Sequence, residues 1–317
     1  MEQKEQHHQL LYYVVYPLWY LLSLLPLVIL YVLSDLIYCI VYKVIGYRIK
    51  VVRGNLESSF PEKSEEELRQ IERRFYHNLC DYFVETIKMM TMSERQMRRR
   101  MVFKGTEDLD ACVADGQSCA IYLGHLFNWE WITSLPFWVS KETHCGQLYH
   151  ALENPAFDQL LLQQRQRWGA ECIALVDILR KTIEYKRQQQ STVIGYIGDQ
   201  VPHWNNIHHW CHFLNHDTPV MTGAERIAVK NNQALFYMNM RRVKRGYYEA
   251  EVKLITRQPK TLREYESVDI YFQMLEQNIR CQPELWLWSH NRWKRTREEF
   301  NRRFVVIDGK VVQKVEE

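Results

Sequence analysis

Residues 119–130 read CAIYLGHLFNWE: an apolar run, a glycine, a histidine, and then a segment that opens a helix. His125 should therefore sit at the carboxyl end of a strand, the place where open α/β sheets bind their ligands. Downstream the same alternation repeats. Cys145–Tyr149 precedes a helical stretch from Pro155 to Trp168, Cys172–Leu175 precedes Ile178–Gln189, and Thr192–Ile197 follows. A long polar loop comes next, then a helix capped by Thr222 and Glu225, strands near Ala234–Met240 and Tyr248–Ile255, and a last helix near Ser267–Arg280. Alternation of this kind predicts an α/β fold, a single domain with a central mixed sheet flanked by helices.

Upstream, Ser64 and Glu67 form a capping box. Leu68, Ile71, Phe75, Leu79, Tyr82, Phe83, Ile87 and Met90 then recur at helical spacing, which predicts one long amphipathic helix with its stripe in the core. Further upstream the composition changes. Leu10–Leu33 carries no charged residue, and as one helix its 24 residues would extend roughly 36 Å, enough to cross a hydrocarbon layer. A second apolar run, Leu36–Tyr42, follows Asp35 with no small-residue cleavage site, which argues against a secretory signal. Tyr12, Tyr13, Tyr16, Trp19 and Tyr20 resemble an interfacial aromatic belt, and Lys43, Arg48, Lys50 and Arg53 outweigh the one Lys of the N-terminal flank. The positive-inside rule then sets the body in the cytoplasm. Residues 1–45 are expected to be a membrane anchor and 46–317 one catalytic-sized domain.

With 46% apolar and 25% charged residues and a net charge of +3, the 317-residue chain is globular, and nothing in its charge argues for nucleic acid. Eight cysteines without a C-x-x-C pair, in a chain too long to need staples, read as reduced thiols in a cytosolic environment.

No dinucleotide, Walker, zinc-protease or serine-hydrolase fingerprint occurs. His125 and Glu130 remain, a pair suited to general-base catalysis if His125 lies in the turn, with Glu130 orienting the imidazole. With 12 histidines in the chain, about one His-x4-Glu spacing is expected by chance, so the spacing alone says little. A second group, His203, His208, His209, Cys211, His212 and His216, crowds one loop. Without a cysteine pair it reads as a polar loop lining a cleft rather than a zinc site. Two basic clusters, Arg98-Arg99-Arg100 and Arg292, Lys294, Arg295 and Arg297, could hold anionic headgroups or an acidic protein.

Five blocks together are more specific. GHLFNWE at 124–130 resembles the GH-(aromatic)-GNWE block of the lipid A biosynthesis acyltransferases, within the wider lysophospholipid acyltransferase superfamily. NLESSFPEKS at 55–64, Asn154-Pro155 with Arg165-Gln166-Arg167, Asp199-Gln200, and PELWLWSHNRWK at 283–294 resemble further blocks of that family in the same order. Phe127 stands where a glycine is usual, and Asn291 where an arginine is frequent. The resemblance implies His125 as the base with Glu130 as its partner, and Arg165 and Asp199 as further active-site residues. Arg167, Arg292, Lys294, Arg295 and Arg297 are expected to bind substrate or carrier. It implies an inner-membrane enzyme facing the cytoplasm that moves an acyl chain from acyl carrier protein to a hydroxyl of a lipid A precursor, with no metal or cofactor. Acylation of another amphipathic acceptor, such as a lysophospholipid or amino lipid, is the alternative within the superfamily, and an inactive lipid-binding membrane protein is the alternative outside it.

Overall fold

The computed structural model describes residues 2–307 and 309–314, with side chains from residue 10 onward. The N-terminal apolar segment forms two helices instead of one. Helix α1 (Glu2–Leu24) tolerates Pro17, but the chain breaks at Leu25-Pro26 before α2 (Leu27–Tyr38), which continues as π-helical turns over Cys39–Ile45. Proline lacks the amide a helix needs and pushes the preceding residue out of the helical region, so the expected Leu10–Leu33 helix is divided. Among the described residues, the helix long and apolar enough to cross a membrane is Leu27–Ile45, and Gly46 ends it at φ 65°. Helix α3 (Ile49–Ser59) leads to α4 (Glu65–Met89), whose capping box is formed by Ser64 and Glu67 as expected.

The body then alternates α5 (Glu94–Arg100), β1 (Met101–Lys104), α6 (Thr106–Ala114), β2 (Cys119–Leu123), a 3-10 segment (Trp129–Phe137), β3 (His144–Tyr149), α7 (Pro155–Gln166), β4 (Glu171–Ala174), α8 (Ile178–Arg187) and β5 (Thr192–Ile197). The expected polar loop contains a hairpin, β6 (His209–Phe213) and β7 (His216–Val220). Helix α9 (Gly223–Asn231), β8 (Ala234–Lys244), β9 (Tyr247–Thr256), α10 (Glu266–Cys281), α11 (Arg297–Arg303) and a small ribbon, β10 (Phe304–Ile307) with β11 (Lys310–Gln313), complete the chain.

Seven strands form a mixed sheet in the order β1-β9-β8-β2-β5-β3-β4, in which only the β8/β9 pair is antiparallel. Strand β2 is buried along its whole length, because it lies at the centre of the sheet between β5 and β8. Thr222 makes no side-chain cap on α9. Glu225 instead accepts hydrogen bonds from the amides of Tyr265 and Val268 and from the Ser267 hydroxyl, satisfying the start of α10.

Candidate functional site

The site follows from the register of two central strands. Strands β2 and β5 run parallel with Leu123 opposite Ile197, and each ends in a glycine, Gly124 and Gly198. Two residues beyond the paired positions, His125 and Asp199 face each other. The His125 Nδ1 lies 2.5 Å from Asp199 Oδ1, and the His125 backbone amide donates to Oδ2 at 2.8 Å. A third donor, Trp286 Nε1, reaches Oδ2 at 2.7 Å. Gly124 is required for this approach: a Cβ there would stand 2.6 Å from Leu275 and 3.4 Å from Asp199 Oδ2.

Asp199 is buried, with 1% exposure. Burial alone would raise its carboxyl, but the charge of His125 and the hydrogen bonds from its ring, its amide and Trp286 outweigh that and hold it at about 2. An ionised carboxylate only accepts, so the Nδ1 carries a proton and donates it to Asp199. The Gln200 amide nitrogen lies 3.4 Å from the other ring nitrogen, Nε2. The imidazole is 19% exposed, and Trp129 stands edge-on beside it with 5.2 Å between ring centroids. With Nδ1 held by a buried carboxylate and Nε2 turned away from it, beside the Gln200 amide, the imidazole is oriented as general-base catalysis on a hydroxyl requires.

Glu130 does not serve as the partner of this histidine. It turns to Arg165 in the last turn of α7, which donates through Nε at 2.8 Å and Nη2 at 2.6 Å, and Tyr82 adds a hydroxyl at 3.2 Å. Burial opposes the charge on Glu130, but the guanidinium holds the carboxyl below its ordinary value, and Glu130 in turn raises Arg165 further above the usual arginine range. The four expected residues thus form two ion pairs, His125 with Asp199 and Arg165 with Glu130. The reason is local. Asn128 starts the 3-10 segment by accepting from the Glu130 amide, and its Nδ2 donates to the buried Glu85 at 2.9 Å, so Glu130 leaves the turn in its own direction. Asn154 caps α7 on the Ala156 and Phe157 amides, and Pro155 occupies the first turn, which fixes the helix that carries Arg165.

The remaining sequence blocks brace the two pairs. Leu126 bridges Trp286, and the Phe127 amide donates to the Leu285 carbonyl, so the 283–294 segment clamps the histidine turn. Asn55 donates to the carbonyls of Trp288 and His290, both at 2.9 Å, and Arg48 donates to that of Ser289. His290 accepts from the Val201 amide. Burial and the nearby Arg292 push its imidazole down to about 4, so it stays neutral there. Phe127 places its ring in the core between Phe75 and Trp129.

The basic residues separate in role. Arg292 is fully buried, with Nη2 on the Pro219 carbonyl and no partner for Nε or Nη1 among the described residues. Arg167 caps the carbonyls of Met89 and Met92. Arg295 donates to Pro202 and lies over Trp204, and Arg297 pairs with Asp217, while Lys294 is exposed. In the other cluster Arg98 pairs with Glu94 and Arg100 donates to the Gly246 carbonyl. In the histidine-rich segment, His209 binds Asp269 and His216 stacks on Trp293. Among the described residues no three side chains converge to hold a metal.

Sequence reasoning found His125, Glu130, Arg165 and Asp199 but not Trp286, Gln200, His290 or Glu85 as neighbours of the site. The first three lie in blocks already quoted. Glu85 had a signal of its own, a charge on the apolar side of the amphipathic helix α4, one residue beyond Val84.

No curated protein matches this chain. The family model described as bacterial lipid A biosynthesis acyltransferase matches residues 1–295, which include every block and both ion pairs, and the chain belongs to that family.

Proposed function

We propose that the protein transfers a fatty acyl chain from acyl carrier protein to a hydroxyl of a lipid A precursor at the cytoplasmic face of the inner membrane, with His125 as the general base. Family membership supplies acyl transfer in lipid A synthesis. The observation that carries the mechanism is the His125 to Asp199 contact of 2.5 Å, which engages Nδ1 and leaves Nε2, beside the Gln200 amide, to face a substrate hydroxyl. His125 takes the hydroxyl proton as the oxygen bonds to the thioester carbonyl carbon. The tetrahedral intermediate then collapses, the carbon–sulfur bond breaks, and the departing thiolate receives the proton from His125. No covalent acyl-enzyme is needed. Arg165 is the candidate donor to the oxyanion, since Glu130 occupies its Nε and Nη2 and fixes the guanidinium plane. In this reading Glu130 is a positioning residue for Arg165.

The test is transfer by purified protein of a radiolabelled acyl chain from carrier protein or from coenzyme A, at low and high salt, to a lipid A precursor or a lysophospholipid. Carrier-dependent, salt-sensitive acylation of the lipid A precursor is expected, because encounter with an acidic carrier is screened as the Debye length falls from about 10 Å at 0.1 M to about 3 Å at 1 M salt. Equal use of both donors without salt dependence would refute the donor assignment, and exclusive acylation of the lysophospholipid would refute the acceptor.

A further inference from the structure

Helix Leu27–Ile45 has the length and composition of a membrane span, yet one of its faces is hydrogen-bonded to the body along most of its length. Tyr31 donates to Glu85 at 2.8 Å, Ser34 to Asp81 at 2.7 Å and Tyr42 to Glu72 at 2.9 Å, and between them Tyr38 stacks on His77 at 3.6 Å. The partners descend 85, 81, 77, 72 as the helix ascends 31, 34, 38, 42, which is a continuous antiparallel pairing with α4. Asp35 within the segment is held by Arg245, which also binds Asp81. On α4 at the same level, Arg69, Arg73 and Arg74 are exposed. A helix crossing the bilayer would carry this row of acidic and basic side chains into the hydrocarbon with it, where each is costly.

The opposite face is apolar. Val28 (75% exposed), Val32 (59%), Leu36 (58%), Ile40 (52%) and Val44 (79%) form a row at intervals of four residues. Lys43 and Lys50 stand exposed at its C-terminal end. Apolar residues in one row, charged groups behind them and lysines at the end match a helix lying in the lipid interface.

We propose that Leu27–Ile45 lies in the plane of the membrane, inserting the row Val28/Val32/Leu36/Ile40/Val44 into one leaflet and leaving the α4 face toward the body, so that the enzyme is held on the bilayer without this helix crossing it. The occupant of the row is the acyl region of that leaflet. The proposal rests on the reading of the protein as membrane-associated, and its test separates the two.

In a background with Cys39, Cys172 and Cys281 changed to Ser, single cysteines Val28→Cys, Leu36→Cys and Val44→Cys are labelled with an environment-sensitive fluorophore. The full chain is then reconstituted in vesicles containing phosphatidylglycerol, and depth is read by quenching from lipids spin-labelled at different carbons. Equal, shallow depth at all three positions is expected. A spanning helix would separate positions 28 and 44 by roughly 24 Å, with 36 near the midplane, and that ladder would overturn the proposal while leaving membrane association intact. Absence of quenching at all three would overturn both, and a concentration-dependent dimer would then identify a second copy as the occupant. As an independent readout, Leu36→Glu with Ile40→Glu should weaken vesicle binding tenfold or more while turnover on detergent-dispersed acceptor stays unchanged; undiminished vesicle binding would count against insertion of the row.

Discussion

Replacing Asp199 with Asn changes one atom and should nearly silence the enzyme. Asp199 Oδ2 receives two fixed donors, the His125 amide at 2.8 Å and Trp286 Nε1 at 2.7 Å, while Oδ1 faces His125 Nδ1 at 2.5 Å. Asparagine has one acceptor oxygen, and the two fixed donors claim it. Its NH2 then points at Nδ1, which must accept, so the proton moves to Nε2 and the lone pair that would take the hydroxyl proton is lost. The same exchange in a serine-protease triad lowers turnover about 10⁴-fold, or roughly 5.5 kcal/mol of transition-state stabilisation. Here the loss should fall on kcat, with KM for both substrates little changed, because the exchange leaves the shape of the site intact. The assay is single-turnover acyl transfer at saturating donor, read beside thermal unfolding. His125→Ala should lose about 10² to 10⁴-fold, and the double variant should be no worse than the poorer single one, since the two residues act as one unit. An Asp199→Asn protein that folds normally and turns over within tenfold of the parent would refute the argument and reduce Asp199 to a structural acceptor for Trp286.

Trp286→Phe removes one of the three donors to Asp199, a hydrogen bond to a charged group worth about 1.5 to 3 kcal/mol, and should lower kcat about tenfold or more; an unchanged rate would show that the bond does not support the base. Glu130→Gln leaves the largely buried Arg165 without its counter-charge and should cost about 3 to 5 kcal/mol of stability, read by denaturant unfolding; loss of kcat at unchanged stability would instead favour a direct catalytic role. Asn55→Ala breaks the bonds to the Trp288 and His290 carbonyls and should cost about 1 to 3 kcal/mol for each carbonyl left buried, lowering the melting temperature. Glu85 is raised to about 7 by burial and by Asp81, against the opposing hydrogen bonds of Asn128, Tyr31 and Tyr248, so its contribution to stability is present below about pH 4.5 and lost as pH rises through 7. The loss amounts to roughly 3 kcal/mol over that window, and Glu85→Gln should remove this slope from the pH dependence of unfolding; parallel slopes in parent and variant would contradict it.

How much of this was legible depends on which physical level carried each feature. Strands Cys119–Leu123 and Thr192–Ile197 were read to the residue because local apolar runs bounded by glycine mark them. The β6/β7 hairpin escaped because its two-residue turn, Leu214-Asn215, has positive φ at both positions (50° and 64°), and leucine at the first gives no turn signal. Strand β1, four residues directly after three arginines, is too short to show a period. The Asn55 block was legible as a pattern, whereas its work, holding the 288–290 carbonyls more than 230 residues away, is a tertiary contact with no local trace.

The site shows the same division. His125 was placed correctly at a strand end, but its partner was sought nearby in the chain, at Glu130, because sequence distance was the only distance available. The true neighbour is set by strand order. Strand β2 lies beside β5 and not beside β3, so the residue facing His125 comes from 74 positions downstream. One clue was present in the letters. Both runs end the same way, Leu-Gly-His at 123–125 and Ile-Gly-Asp at 197–199, and two parallel strands that end alike will bring their next polar residues together only if they are neighbours in register. The sheet makes them so, with Leu123 opposite Ile197. This frees Glu130 to hold Arg165, giving the site an oriented histidine and a fixed cation from two separate pairs.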